Sequence, residues 1–193
     1  MSPLAVDCVI KVGGGMLARA DTFHAVIAEI SVANREAALL IVPGGGPFAD
    51  TVRDLDRQVG LSDDTAHWMA ILAMDQYAHL IASRLPSGEV VCGPDEIESA
   101  LKRRRIPVLA PYQWMRDVDP LPHSWDVTSD SISAWVAGQV GAARLVLVKP
   151  SGASGSDIVD RCFSSVLSPH VTAAIVAADR IAELAKAIAA PAI

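Results

Sequence analysis

Six short apolar runs, at 6–11, 38–42, 89–92, 106–110, 144–149 and 171–176, recur along this chain, separated by longer stretches of helical spacing. Runs of this length that stay apolar, rather than alternating, read as strands buried on both faces. The intervening stretches predict helices near 21–30, 47–58, 63–84, 95–103, 128–140 and 179–190. Asp21 or Thr22 is placed to cap the first, Pro47 suits the first turn of the second, and Asp63 or Asp64 opens the third. Residues 112–126, with Pro120, Pro122 and several aromatic side chains, read as a loop, and 151–169 is rich in Ser, Gly and Asp. Strands alternating with helices predict an α/β fold, a mostly parallel central sheet covered on both faces in three αβα layers. The chain reads as one domain, 1–193, with a soft division at the 112–126 loop between halves of about 1–111 and 126–193.

Three strand ends carry the chemistry. Lys11 ends the first run and leads into Gly13-Gly14-Gly15; the second run leads into Gly44-Gly45-Gly46-Pro47; Lys149 ends the fifth and leads into Pro150-Ser151-Gly152. Lysine occurs only four times, so two at strand ends are conspicuous. Ligands of open α/β sheets bind beyond the carboxyl ends of the strands. Glycines let backbone N–H groups approach phosphate oxygens, and a following helix start adds positive potential. Two such turns with two ammonium groups describe a polyphosphate site. The alternative for each lysine is a strand-end side chain that snorkels to water.

Composition narrows the class. A net charge of −6 argues against a nucleic-acid partner. The basic run Lys102-Arg103-Arg104-Arg105 at a helix end reads as a solvated face. Cys8, Cys92 and Cys162 are odd in number and lack a C-x-x-C pair, which reads as reduced thiols of a cytoplasmic protein. The start of the chain has no basic stretch followed by an apolar one, and the apolar stretch 65–81 is broken by His67, Asp75, Gln76 and His79, so no membrane partner is expected. Neither G-x-x-x-x-G-K-[ST] nor G-x-G-x-x-G is present, which disfavours P-loop and dinucleotide-dependent enzymes.

Asp130, in Thr128-Ser129-Asp130-Ser131, lies a turn inside a helix start, where it can orient lysines or magnesium; Asp126 reads as a cap.

Val9-Ile10-Lys11-Val12-Gly13-Gly14, Val42-Pro43-Gly44-Gly45-Gly46-Pro47 and Thr128-Ser129-Asp130-Ser131 resemble the amino acid kinase superfamily over most of the chain to about Lys149. The runs 47–53, 66–77 and 124–131 are similar to its (5-(aminomethyl)furan-3-yl)methyl phosphate kinase branch, which serves methanofuran or methylofuran synthesis. The resemblance implies a cytoplasmic, homo-oligomeric kinase that uses Mg-ATP and makes a diphosphate from a phosphorylated small molecule. Its halves would be acceptor-side (1–111) and nucleotide-side (126–193), the latter shortened. Lys11 with Gly13, Gly14 and Gly15 would meet the transferring group, Gly44, Gly45 and Gly46 would hold the acceptor phosphate, and Asp130 would order the lysines. Ser151 and Gly152 stand where members carry an Asp-x-x-Gly nucleotide turn. A late Gly-Gly-Met-x-x-Lys segment of many members has no counterpart here, and Lys149 is the candidate substitute.

For the acceptor, Arg53 offers a guanidinium fork near the second glycine turn, and Trp125, His123 or Tyr112 a cover for a ring. Trp68, Leu72, Asp75 and His79 share a helix face by spacing. Asp75 either pairs with His79 or meets an amine on the acceptor. Two other readings stay open: a non-catalytic small-molecule or oxyanion-binding protein of the same fold, and a kinase for an amino acid carboxylate or isoprenoid phosphate.

Overall fold

The computed structural model describes residues 4–152 and 158–190. Six parallel strands form one sheet: β1 (Cys8–Val12), β2 (Leu39–Pro43), β3 (Gly88–Val91), β4 (Ile106–Leu109), β5 (Arg144–Lys149) and β6 (Thr172–Ala177), in the order β3-β4-β2-β1-β5-β6. The central strands are buried along their length, as an apolar run between two helical layers requires. Strand order reverses at β1, which lies between β2 and β5. Lys11 is level with Val42 and Leu147, so the turns after these three strands open at one height.

The helices are α1 (Ala20–Ala33), α2 (Gly46–Val59), α3 (Asp63–Arg84), α4 (Pro94–Lys102), α5 (Tyr112–Val118), α6 (Ser129–Val140), α7 (Phe163–Val166) and α8 (Ile181–Ala189). Alternation along β1 sends Cys8, Ile10 and Val12 to one layer, with Phe23, Val26 and Ile30 of α1 and Leu184 and Ile188 of α8. Val9 faces the other layer, with Trp114 and Met115 of α5 and Ile132, Trp135 and Val136 of α6. By the same period of two, Lys11 on β1 and Lys149 on β5 point toward the α6 layer. The long α3 joins both layers, with Trp68, Ile71 and Met74 in one and Tyr77, Ala78 and Ile81 in the other.

Several local expectations need correction. Residues 112–118 form α5 rather than loop; Trp114 and Met115 bury the face of a helix too short to show a period. α1 starts after Arg19 with no side-chain cap, so neither Asp21 nor Thr22 serves. Ser62 caps α3 by accepting from the Thr65 N–H, and Asp63 and Asp64 fall inside its first turn. Thr128, not Asp126, caps α6; Asp126 is exposed and lies 3.6 Å from Arg161. The basic run is a solvated face, with Lys102 paired to Glu98 and Arg103 and Arg105 to Glu89. The three cysteines are free thiols, and burial pushes Cys8 up to about 11. No described helix is long and apolar enough to cross a membrane.

The glycine turns after β1 and β2 pack directly on one another. A Cβ on Gly14 would lie 2.1 Å from the Cα and N of Gly46, which itself has a left-handed φ of 57°. At Gly93, with an extended φ of −172°, an added Cβ meets nothing within 4 Å. Gly14→Ala should therefore lower stability by about 2 kcal/mol or more, the scale of overpacking, with a clear drop in Tm. Gly93→Ala should leave Tm near the parent, and equal melting of the two variants would contradict the packing argument.

Candidate active site

Lys11, Lys149 and Asp130 meet beyond the carboxyl ends of β1 and β5. Asp130 is only 3% exposed; its Oδ1 lies 2.9 Å from Lys11 Nζ and its Oδ2 2.5 Å from Lys149 Nζ. The α6 start places it there, because Thr128 Oγ1 accepts from the Asp130 N–H at 3.3 Å and turns the carboxylate inward. Burial by itself would raise the Asp130 pKa, but the two ammonium groups outweigh it and hold the carboxyl below its ordinary value. Burial lowers the Lys11 pKa, with Asp130 opposing and Lys149 adding to the shift. The two lysines and their shared carboxylate border a cleft of about 330 Å³ whose wall also carries Arg53, Asp50 and Asp63.

Gly14, Gly15, Gly45 and Gly46 line that cleft beside the lysines. Gly13 and Gly44 do not: their N–H groups donate to Val148 and Val12 carbonyls at 3.0 and 2.8 Å and fix the turns to the sheet. Ser151 and Gly152 lie outside the cleft wall, and the segment 153–157 that follows them lies outside the described residues. Both Asp130 oxygens are engaged by lysines, and among the described residues no group of three His, Cys, Asp or Glu is arranged to hold a metal. A magnesium ion caged by protein carboxylates does not fit this donor set; phosphate oxygens do.

Arg53 and Trp125 line the cleft as a pair, with the guanidinium carbon 4.8 Å from the ring centroid. Each is also tied down, Arg53 to Asp50 at 3.0 Å and the Trp125 Nε1–H to Asp56 Oδ2 at 2.8 Å. Asp75 is not part of the cleft. It accepts a hydrogen bond from the Tyr112 N–H at 3.1 Å, anchoring the start of α5, and makes no ion pair with His79. Leu72 is exposed, so the supposed face of Trp68, Leu72, Asp75 and His79 is not a single buried surface.

Three features escaped the sequence. Along α3, Asp63, His67, Ile71 and Met74 line the cleft at helical spacing, with Tyr77 one turn on reaching the Gly13 carbonyl at 3.5 Å. The only signal was a set of polar residues in an apolar helix. His67 is stacked on His123, at 4.2 Å between centroids, and burial foremost lowers its pKa to about 4, with His123 adding to the effect. Asp160 is the third. It accepts from Thr128 N and Oγ1 (2.9 and 2.7 Å), from Ser131 N (3.0 Å) and Oγ, and from Cys162 N (3.1 Å). It thereby takes two of the backbone donors at the start of α6, the Thr128 and Ser131 N–H groups, from about thirty residues away.

The profile of the amino acid kinase family matches residues 8–151, which contain both glycine turns, Asp130 and both site lysines. This chain belongs to the amino acid kinase family. Among curated proteins, the [5-(aminomethyl)furan-3-yl]methyl phosphate kinase of Methanocaldococcus jannaschii is 26% identical over 142 residues, covering 72% of this chain. The matched part spans 63% of that relative's length. Among solved structures, the uridylate kinase of Archaeoglobus fulgidus superposes with a TM-score of 0.72 at 16% identity, over 96% of this chain and 97% of that one. The UMP kinase of Bacillus anthracis gives 0.70 at 14% identity, over 98% and 94%. At such identities the superpositions establish a shared amino acid kinase fold.

Two consequences follow for stability. Asp75, raised by burial to about 6 despite the Tyr112 N–H and His79, binds protons more tightly folded than unfolded, so its contribution is lost as pH rises from 4 through 6. Asp75→Asn keeps an acceptor for Tyr112 and removes that loss. Denaturant titrations should show the variant gaining on the parent at pH 7.5 and the gain shrinking at pH 4.5.

Asp130 has the opposite sign: its folded pKa is depressed, so its stabilisation is present above about pH 4 and fades as pH falls through the folded value. Asp130→Asn leaves the buried Lys11 and the partly buried Lys149 uncompensated and should cost on the order of 3 kcal/mol at pH 7. A Tm unchanged at pH 7 would contradict the ion-pair geometry.

Proposed function

We propose that this protein is an ATP-dependent kinase that transfers a phosphoryl group to the phosphate of a small acceptor, and that the acceptor is an aminomethylfuran-methyl phosphate. The observation that carries the reading is the buried Lys11–Asp130–Lys149 cluster beside four glycines that line one cleft. The acceptor class rests on the name of the Methanocaldococcus jannaschii relative, whose match is partial in length.

Phosphoryl transfer spreads charge over three equatorial oxygens, so positioning and electrostatics dominate. An oxygen of the acceptor phosphate attacks the γ-phosphorus of ATP. The bond to the β-bridging oxygen breaks, ADP leaves with that electron pair, and a diphosphate forms. Lys11 and Lys149 hold the moving group, and Asp130 keeps both ammonium groups in place without reorganisation. Gly14 and Gly15 offer backbone approach to the donor side, and Gly45 and Gly46 to the acceptor phosphate, where α2 begins. A phosphate monoester has a second pKa of about 6 and is already ionised near neutral pH, so no general base is needed. The cleft carboxylate one helical turn beyond Gly46, Asp50, is paired with Arg53 at 3.0 Å.

Incubation with ATP and the aminomethylfuran phosphate should yield ADP and a diphosphate seen by phosphorus NMR. Lys11→Ala should lower kcat about a hundredfold or more with the fold retained by circular dichroism. Lys149→Met should lower kcat more than it alters the ATP KM, the mark of an interaction stronger in the transition state. Tight acceptor binding with no ADP release would replace the kinase reading with that of a non-catalytic binder.

A further inference from the structure

Lys149 ends β5, and the chain that leaves it returns at Asp160 to the start of α6. Asp160 does not line the cleft, yet its half-buried carboxylate is engaged on both oxygens. Oδ2 accepts from Thr128 N, Thr128 Oγ1 and Ser131 N, and Oδ1 from Ser131 Oγ and Cys162 N. Thr128 and Ser131 stand on either side of Asp130 in the chain, so the turn that carries Asp130 is gripped from both flanks.

The Thr128 hydroxyl makes the connection directional. A carboxylate only accepts, so the hydroxyl spends its single proton on Asp160, at 2.7 Å. Its oxygen is left to accept, and it does so from the Asp130 N–H at 3.3 Å. The contacts close a ring: Lys149 Nζ donates to Asp130 Oδ2, the Asp130 N–H to Thr128, and Thr128 to Asp160, whose own chain leads back to Lys149.

We propose that Asp160 is a positioning residue of the lysine site: acting through Thr128, it holds the Asp130 carboxylate between Lys11 and Lys149. For its effect on turnover the inference rests on the kinase reading above, and it adds a role for a residue outside the cleft wall. Lys11 reports on that position. Asp130 faces it from α6 and Lys149 from β5, while Asp50 and Arg53 of α2 and Asp63 and His67 of α3 line the same cleft. Burial foremost lowers the Lys11 pKa, Asp130 opposes the shift, Lys149 adds to it, and Asp160 opposes it more weakly. Displacing the Asp130 carboxylate removes an influence that raises the Lys11 pKa, so the pKa falls further and Lys11 loses its charge at a lower pH.

Four variants test the relay. Asp160→Ala removes every acceptor, and Asp160→Asn keeps one carbonyl oxygen for Thr128 but cannot serve both flanks. Thr128→Val cuts the relay while leaving the Asp160 carboxylate, and Thr128→Ser restores the hydroxyl. Turnover of ATP with the aminomethylfuran phosphate is measured beside an NMR titration of the lysine side chains, of which the chain has only four. Asp160→Ala and Thr128→Val should each lose about tenfold to a hundredfold in kcat with the ATP KM changed less, as misplacement of a site group predicts. The Lys11 titration midpoint should fall in both. Asp160→Asn and Thr128→Ser should recover part of each loss. Asp126→Asn, which neutralises an exposed carboxylate 3.6 Å from Arg161, should match the parent in both readouts. A lowered Tm with kcat and the Lys11 midpoint unchanged reduces Asp160 to a structural cap and overturns the proposal, as does an equal loss in Asp126→Asn. If Asp160→Ala does not fold, the two Thr128 variants decide. If the parent itself turns over no ATP, the kinase reading falls, and the Lys11 midpoint still decides whether Asp160 positions Asp130.

Discussion

One carboxylate shared by two lysines organises this protein. Asp130 is buried, and its desolvation is offset by two ammonium groups from neighbouring strands: Lys149 donates to Oδ2, and Lys11 lies 2.9 Å from Oδ1 as an ion pair. That requirement constrains everything around it. β1 and β5 must be adjacent and in register, their lysines must share a face, and α6 must begin directly over that face. A slip of one residue in either strand would turn its lysine to the α1–α8 layer and strand the carboxylate. The two ammonium groups are held in place before any ligand arrives, the kind of preorganisation that electrostatic catalysis depends on.

The start of α6 is held by two devices. Thr128 caps it locally, and Asp160 accepts from the Thr128 and Ser131 N–H groups from a distant segment. These bonds fix the helix start and with it the position of Asp130. The paired glycine turns approach each other so closely that a side chain on Gly14 has no room. The two turns form one surface.

The cleft is lined by lysines at the sheet end, by apolar residues of α3 and α6, and by His67 and Asp63 nearer the start of α3. Arg53 and Trp125, each anchored by an aspartate of α2, border the slot as a fixed wall. The long α3 serves both as a wall of the site, through Asp63, His67, Ile71 and Met74, and as a filler of two core layers.

Much of this was legible in the chain. Apolar runs ending in glycine established the strands, their parallel arrangement and the height of the site. Period-two alternation is enough to put Lys11 and Lys149 on one face once their strands are neighbours. These properties are local, fixed by backbone geometry and by the burial of every residue in a central strand. Tertiary structure decided the rest. Asp75 looked like a ligand because a carboxylate in an apolar helix needs a partner, and only the fold shows that the partner is the Tyr112 N–H. His67 looked like an interruption, and only packing against His123 across more than fifty residues makes it a neutral ring at a cleft wall. Asp160 carries no spacing signal at all. Local geometry can be read from a few neighbouring residues, whereas the partner of a buried polar group is set by contacts between distant segments, and no pattern along the sequence encodes which one arrives.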